Sequence, residues 1–145
     1  MQISEIMTRE VETIAPDASL QEAAAAMEAL GVGSLPVCAG RRLVGAITDR
    51  DIVIRGVAAG LSPIDGLVSD CMTADIAYAF CDEETDEVLE RMKTLQVRRL
   101  AVLDRDKLLA GIVSLGDIAT EPRAAALGTV GAAVAEISEP SRPRK

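Results

Sequence analysis

Four residues stand out by type and spacing. Thr48 stands three positions ahead of Asp51 in "GAITDRDI", and Ser114 stands three ahead of Asp117 in "GIVSLGDI". Each hydroxyl residue follows a glycine and two apolar residues. A hydroxyl three residues before a carboxylate at a helix start is a capping box. The hydroxyl accepts from a backbone N–H, and the carboxylate reaches back to the cap residue. The same arrangement also suits binding. A helix start presents N–H groups and the positive end of its dipole to an anion. A carboxylate there can accept hydrogen bonds from both hydroxyls of a ribose diol, and the neighbouring hydroxyl can donate to a sugar or phosphate oxygen. One copy alone argues only for a cap. The two readings do not exclude each other.

The motif recurs because the chain is an internal repeat. Met7-Thr8 aligns with Met72-Thr73, Asp17 with Asp82, Met27 with Met92, Leu35 with Leu100 and Val37 with Val102, at an offset of 65. One added residue then sets the offset to 66, so that Gly45, Thr48 and Asp51 meet Gly111, Ser114 and Asp117. Each copy reads as a short strand ("VETIA", "IAYAF"), then a helix. The first helix opens on a Ser19/Glu22 capping box, the second on Thr85 followed by Asp86 and Glu87. Leu20, Ala23, Ala24, Met27 and Leu30 give the first helix one apolar face; Val88, Leu89, Met92 and Leu95 give it to the second. Two strands follow around turns at Gly40-Arg41 and Asp104–Asp106, and a second helix begins at the motif. The predicted fold is mixed α/β (α+β), β-α-β-β-α twice, with small sheets and helices outside. Units of this size rarely fold alone, so a pseudo-two-fold pair with clefts between the copies is expected.

The expected division is repeat 1 over 3–60, a linker over 61–67, repeat 2 over 68–121, a weak C-terminal helix over 122–138 and a disordered tail over 139–145. Composition narrows the function. The net charge is −8 and aromatic residues make up 1%, which leaves neither a basic footprint nor a stacking platform for nucleic acid. Histidine is absent, which removes histidine metal sites and histidine bases. No apolar run reaches the roughly 20 residues of a membrane span, and the start of the chain does not read as a signal peptide, so a cytoplasmic protein is expected. Cys38, Cys71 and Cys81 show no CxxC spacing and read as small apolar residues. The run Asp82–Glu87 reads as a solvated helix start rather than a cation site. With no nucleophile–base arrangement in view, no catalytic residues are assigned and an enzyme is not expected.

The order "IMT…PDASLQEA…GVGSLPV…LVGAITDRDIV", followed by "CMT…DEET…QVRRLAV…LAGIVSLGDIA", resembles a tandem pair of CBS domains, a Bateman module, over about residues 3–121. It is particularly similar to stand-alone bacterial proteins of two CBS domains. The resemblance implies adenosine-containing ligands (AMP, ADP, ATP or S-adenosylmethionine) in clefts between the copies, with the motif aspartates on the ribose hydroxyls. It assigns Thr48, Asp51, Arg98, Arg99, Val97, Thr73 and Arg50 to one site. It assigns Ser114, Asp117, Val32, Gly33, Ser34 and Thr8 to the other. Arg98 and Arg99, with Arg50 and Arg55 in support, would favour phosphates at the first site; the alternative for the pair is a solvated strand edge or ion pairs. No cofactor is required, and magnesium enters only as a companion of ligand phosphates. The family also implies a homodimer of modules packed through helices, an unidentified protein partner that reads the ligand state, and no binding to membrane. The alternatives are a ligand-free module that dimerises or docks onto an enzyme or transporter, and a nucleotide-processing enzyme.

Overall fold

The computed structural model describes residues 1–122; the expected C-terminal helix, all but its first residue, and the tail lie outside them. The described chain is mixed α/β with two small sheets and helices, as the repeat predicts. It divides into two compact units. One, the Thr48 unit, comprises Val11–Ala77 with Lys107–Leu109; the other, the Ser114 unit, comprises Met1–Glu10, Tyr78–Asp106 and, of the described residues, 110–122.

In the Thr48 unit, α1 (Leu20–Leu30) starts on Ser19, whose hydroxyl accepts from the Glu22 amide at 3.1 Å while Glu22 takes the Ser19 amide at 3.0 Å. Gly31 ends it in the left-handed region, at φ 65°. Leu20, Ala23 and Met27 are buried, whereas Ala24 and Leu30 are exposed, so the apolar face is narrower than the sequence suggests. β1 (Ser34–Ala39) and β2 (Arg42–Thr48) form an antiparallel hairpin with a bulge at Val37/Cys38. "VETIA" contributes a single bridge, Ile14 to Val37, rather than a strand. After Thr48 come α2 (Asp49–Asp51) and a π-helical turn, Ile52–Val57, closed by the Ala58 amide on the Val53 carbonyl. The regular second helix read from the sequence is therefore replaced. On this turn Gly56 is buried, and a Cβ there would come 2.9 Å from Leu20 Cδ1. α3 (Val68–Cys71) and the short strand β3 (Thr73–Ala74) complete the unit, with β3 antiparallel to β2. The core is Leu20, Ala23, Met27, Leu35, Val37, Ile47, Val68 and Cys71.

In the Ser114 unit, β4 (Tyr78–Phe80) runs parallel to β5 (Arg99–Leu103), which neighbours β6 (Leu109–Ser114); α4 (Thr85–Leu95) and α5 (Leu115–Ala119) complete it. Val88, Leu89 and Met92 are fully buried with Ile3, Ala79, Val102, Val113 and Ile118. The start of α4 departs from expectation. Glu84, not Thr85, occupies the cap position, and the buried Thr85 hydroxyl donates to the Met1 carbonyl at 2.8 Å. The acids around it are not simply solvated: Asp82 pairs with Arg105, Glu83 with Arg91, and Glu84 with the Met1 ammonium.

The leading arm of each repeat sits in the unit built by the other. Thr8 pairs with Ile112 of β6 through two hydrogen bonds of 2.8 and 2.9 Å, and Thr73 pairs with Ala46 of β2. The glycines ahead of the two motifs make this possible. A Cβ on Gly45 would overlap the Thr73 carbonyl oxygen, and one on Gly111 would overlap that of Thr8.

The Glu83–Arg91 pair has a pH signature. Hydrogen bonds from Arg91, opposed by partial burial, hold the Glu83 carboxyl below its ordinary value of 4.5. A carboxyl lowered in the folded state stabilises the fold above its unfolded value, and that contribution is lost as pH falls through the folded value. Glu83→Gln is therefore expected to flatten the loss of stability below about pH 4.5, read as urea midpoints against pH. A midpoint profile parallel to wild type would remove Glu83 as its source.

Candidate functional site

Both motifs form the capping box. In the Thr48 unit the Asp51 amide donates to Thr48 Oγ1 at 3.0 Å, and the Thr48 amide to Asp51 Oδ2 at 2.9 Å. In the Ser114 unit the same two bonds, Asp117 amide to Ser114 Oγ and Ser114 amide to Asp117 Oδ2, are each 3.0 Å. All four side chains are partly buried. Asp51 and Asp117 thus use Oδ2 to hold the turn, leaving Oδ1 outside the cap.

The start of each helix is then tied to the preceding strand. The Asp49 amide donates to the Gly33 carbonyl at 2.9 Å, and the Leu115 amide to the Arg98 carbonyl at 2.8 Å. Ser34 pairs with Thr48 across the hairpin. Gly33 lies tight against Asp49, since an added Cβ would sit 3.1 Å from its carboxylate. These bonds matter chemically. The amides of Asp49, Arg50 and Asp51 all have partners, Arg50 through the Asp49 carboxylate at 2.8 Å. The helix start of the Thr48 unit therefore does not offer its first amides to a phosphate. Charge for an anion must come from side chains.

The Thr48 unit brings Thr48, Asp51, Arg50 and Thr73 together with Val32, Gly33 and Ser34. The Ser114 unit brings Ser114, Asp117 and Thr8 together with Val97, Arg98 and Arg99. Thr73 and Thr8 are exposed on their arms, as are Arg50, Arg98 and Arg99; Val32 and Val97 are half-buried against the cores. Neither Arg98 nor Arg99 forms an ion pair with a described residue. Arg55 reaches the Cys71 and Met72 carbonyls at 3.4 and 3.2 Å, and its Nε lies 4.0 Å from Asp51 Oδ1. Among the described residues the Arg50 side chain makes no comparable contact. Nothing in local spacing pointed to this reach of Arg55, because its partners are 16 and 17 residues away.

Burial pushes the Cys38 and Cys71 thiols up, which keeps them protonated and poor nucleophiles. Cys81 is half-buried. Among the described residues no three His, Cys, Asp or Glu side chains are grouped to hold a metal ion, and no helix is long and apolar enough to cross a membrane.

Comparison with known proteins supports the repeat. The sequence profile of the family described as CBS domain matches residues 3–56 and again 68–123. The CBS domain-containing protein YhcV of Bacillus subtilis is 36% identical over 119 residues, covering 81% of this chain and 82% of its own. Hypoxic response protein 1 of Mycobacterium tuberculosis is 38% identical over 116 residues, 79% of this chain and 80% of its own. A crystal structure of Hypoxic Response Protein I, solved with two coordinated zinc ions, superposes with a TM-score of 0.75 at 36% identity, over 84% of this chain and 100% of that one. CBSX2, solved in complex with AMP, gives 0.69 at 22% identity, over 92% and 96%, which establishes likeness of fold alone.

Proposed function

Because this chain belongs to the CBS-domain family across both of its repeats, we propose that it is a regulatory module that binds an adenosine-containing ligand and passes its occupancy to a protein partner. Stand-alone relatives of this kind are regulatory rather than catalytic, and this chain is read in the same way. One observation carries the proposal: both motif aspartates satisfy the cap with Oδ2 and leave Oδ1 out of it, an acceptor suited to a ligand diol. The fold shared with CBSX2 holds AMP in that protein. Asp51 and Thr48 are proposed to hold a phosphorylated adenosine ligand, Asp117 and Ser114 a second, less charged one, and Arg98 and Arg99 are proposed for phosphates. Magnesium would accompany phosphates only.

A thermal-shift series tests this. Ligand that binds only the native state at 100 times its Kd adds about 2.7 kcal/mol of stability. Millimolar AMP, ADP, ATP or S-adenosylmethionine is expected to raise the Tm, with at least one phosphorylated ligand above adenosine. No shift with any of them would sink the proposal.

The second reading, a dimerising or docking module without ligand, is favoured by one observation. Val53, Ile54 and Val57 on the π-helical turn, and Ile64 after it, are 54, 52, 64 and 70% exposed. Helix-mediated pairing of two copies would cover apolar surface of this kind, and we include a homodimer in the proposal.

A further inference from the structure

Arg55 is placed unlike any other charged residue near the motifs. It stands four residues after Asp51, on the π-helical turn, where its guanidinium lies between two elements distant in sequence. Nη1 donates to the carbonyls of Cys71 and Met72, at the end of α3 and immediately before β3. Nε lies 4.0 Å from Asp51 Oδ1, the oxygen the cap leaves over. The helix-end carbonyls carry partial negative charge and suit a cation, and the planar fork of arginine can serve both sets of acceptors at once. The residues it touches lead straight to Thr73, whose carbonyl is pressed against Gly45. At the 66-residue offset Arg55 meets Glu121, so the second copy carries no cation at that position.

We infer that Arg55 is a positioning residue. It ties the Asp51 carboxylate to the arm Cys71–Ala74, so that a ligand hydroxyl taken by Oδ1 alters how firmly the arm is held. The Thr48 unit thereby has a built-in relay with no counterpart at the equivalent position, Glu121, of the second copy. The ligand half of this inference rests on the proposed function, whereas the tie itself does not.

Hydrogen exchange over residues 72–74, followed in intact protein by mass spectrometry, tests both. Without ligand, Arg55→Gln and Asp51→Asn are each expected to speed exchange there several-fold, and the double variant no further than Arg55→Gln alone. Additive effects, or no effect of Asp51→Asn, would overturn the tie. With AMP as the probe, wild type is expected to change exchange at 72–74, and Arg55→Gln, compared at AMP concentrations shown by calorimetry to saturate it, to lack that change. An unaltered response in Arg55→Gln would overturn the relay. Failure of wild type to bind AMP would count against the relay and the proposed function together, while the ligand-free comparison would still decide whether Arg55 makes the tie.

Discussion

Gly45→Ala is expected to destabilise the protein by about 3 kcal/mol, near the top of the usual range for overpacking. For a chain of this length that corresponds to a fall in Tm of roughly 10 °C. The added Cβ would overlap the Thr73 carbonyl oxygen and approach Met72 Sδ within 3.3 Å. The obstacle is backbone, so no rotamer change relieves it. Either β3 lifts from β2 or the hairpin bends, and each loses strand hydrogen bonds. Gly111→Ala should cost a similar amount, because its Cβ would meet the Thr8 carbonyl and Met7 Sδ in the same way. Gly116→Ala is the contrast: inside α5 its Cβ would meet only Ser114 Oγ at 3.6 Å. Alanine is the better helix former there, so stability should hold or rise slightly. Thermal melts of the three variants check this, and equal losses at all three glycines would refute the close-approach explanation.

Asp51→Ala is expected to weaken binding of a phosphorylated adenosine ligand by roughly 10- to 100-fold, the loss of hydrogen bonds to a charged acceptor. Asp117→Ala is expected to leave that affinity within a few-fold and to act on a second, less charged ligand instead. Both variants also lose a cap, at about 1 kcal/mol of stability, so affinity must be compared at temperatures where both remain folded. Titration calorimetry with AMP and with adenosine separates the two aspartates. Unchanged affinity in both variants would return the motif to capping alone.

What was legible in the sequence follows from the range of each interaction. The three capping boxes, at Ser19, Thr48 and Ser114, join residues three apart and could be read directly. The buried faces of α1 and α4 showed in helical spacing, apart from Ala24, Leu30 and Leu95 at their margins. The two copies showed at a constant offset. The exchange of arms showed in no local pattern, because "MT" stands at the head of both repeats; the family resemblance alone set Thr73 with Thr48 and Asp51, and Thr8 with Ser114 and Asp117. The π-helical turn was hidden for a related reason: Gly56 needs its space only because Leu20 and Cys71 pack over it. Thr85 looked like a cap because hydroxyls at helix starts usually are, yet its partner is the Met1 carbonyl, 84 residues away. For the site, the aspartates and their hydroxyl partners could be named from spacing. The occupation of the first amides by Gly33, Asp49 and Thr48 could not, and it shifts the burden of anion binding onto arginines.

The traded arms bear on how such a protein can be divided or inherited. A half-length chain bearing only the first repeat would carry Met7-Thr8 with no β6 to receive it and would present Gly45 with no β3 against it. The unfilled groove and the idle arm share their sequence logic, so two such halves can satisfy one another by reciprocal insertion. Two single repeats exchanging arms would make the same kind of contact, and joining two of them end to end places that contact within one chain. The same bookkeeping warns the engineer that a cut in the 61–67 segment separates each arm from its seat, so a transplanted module must travel whole.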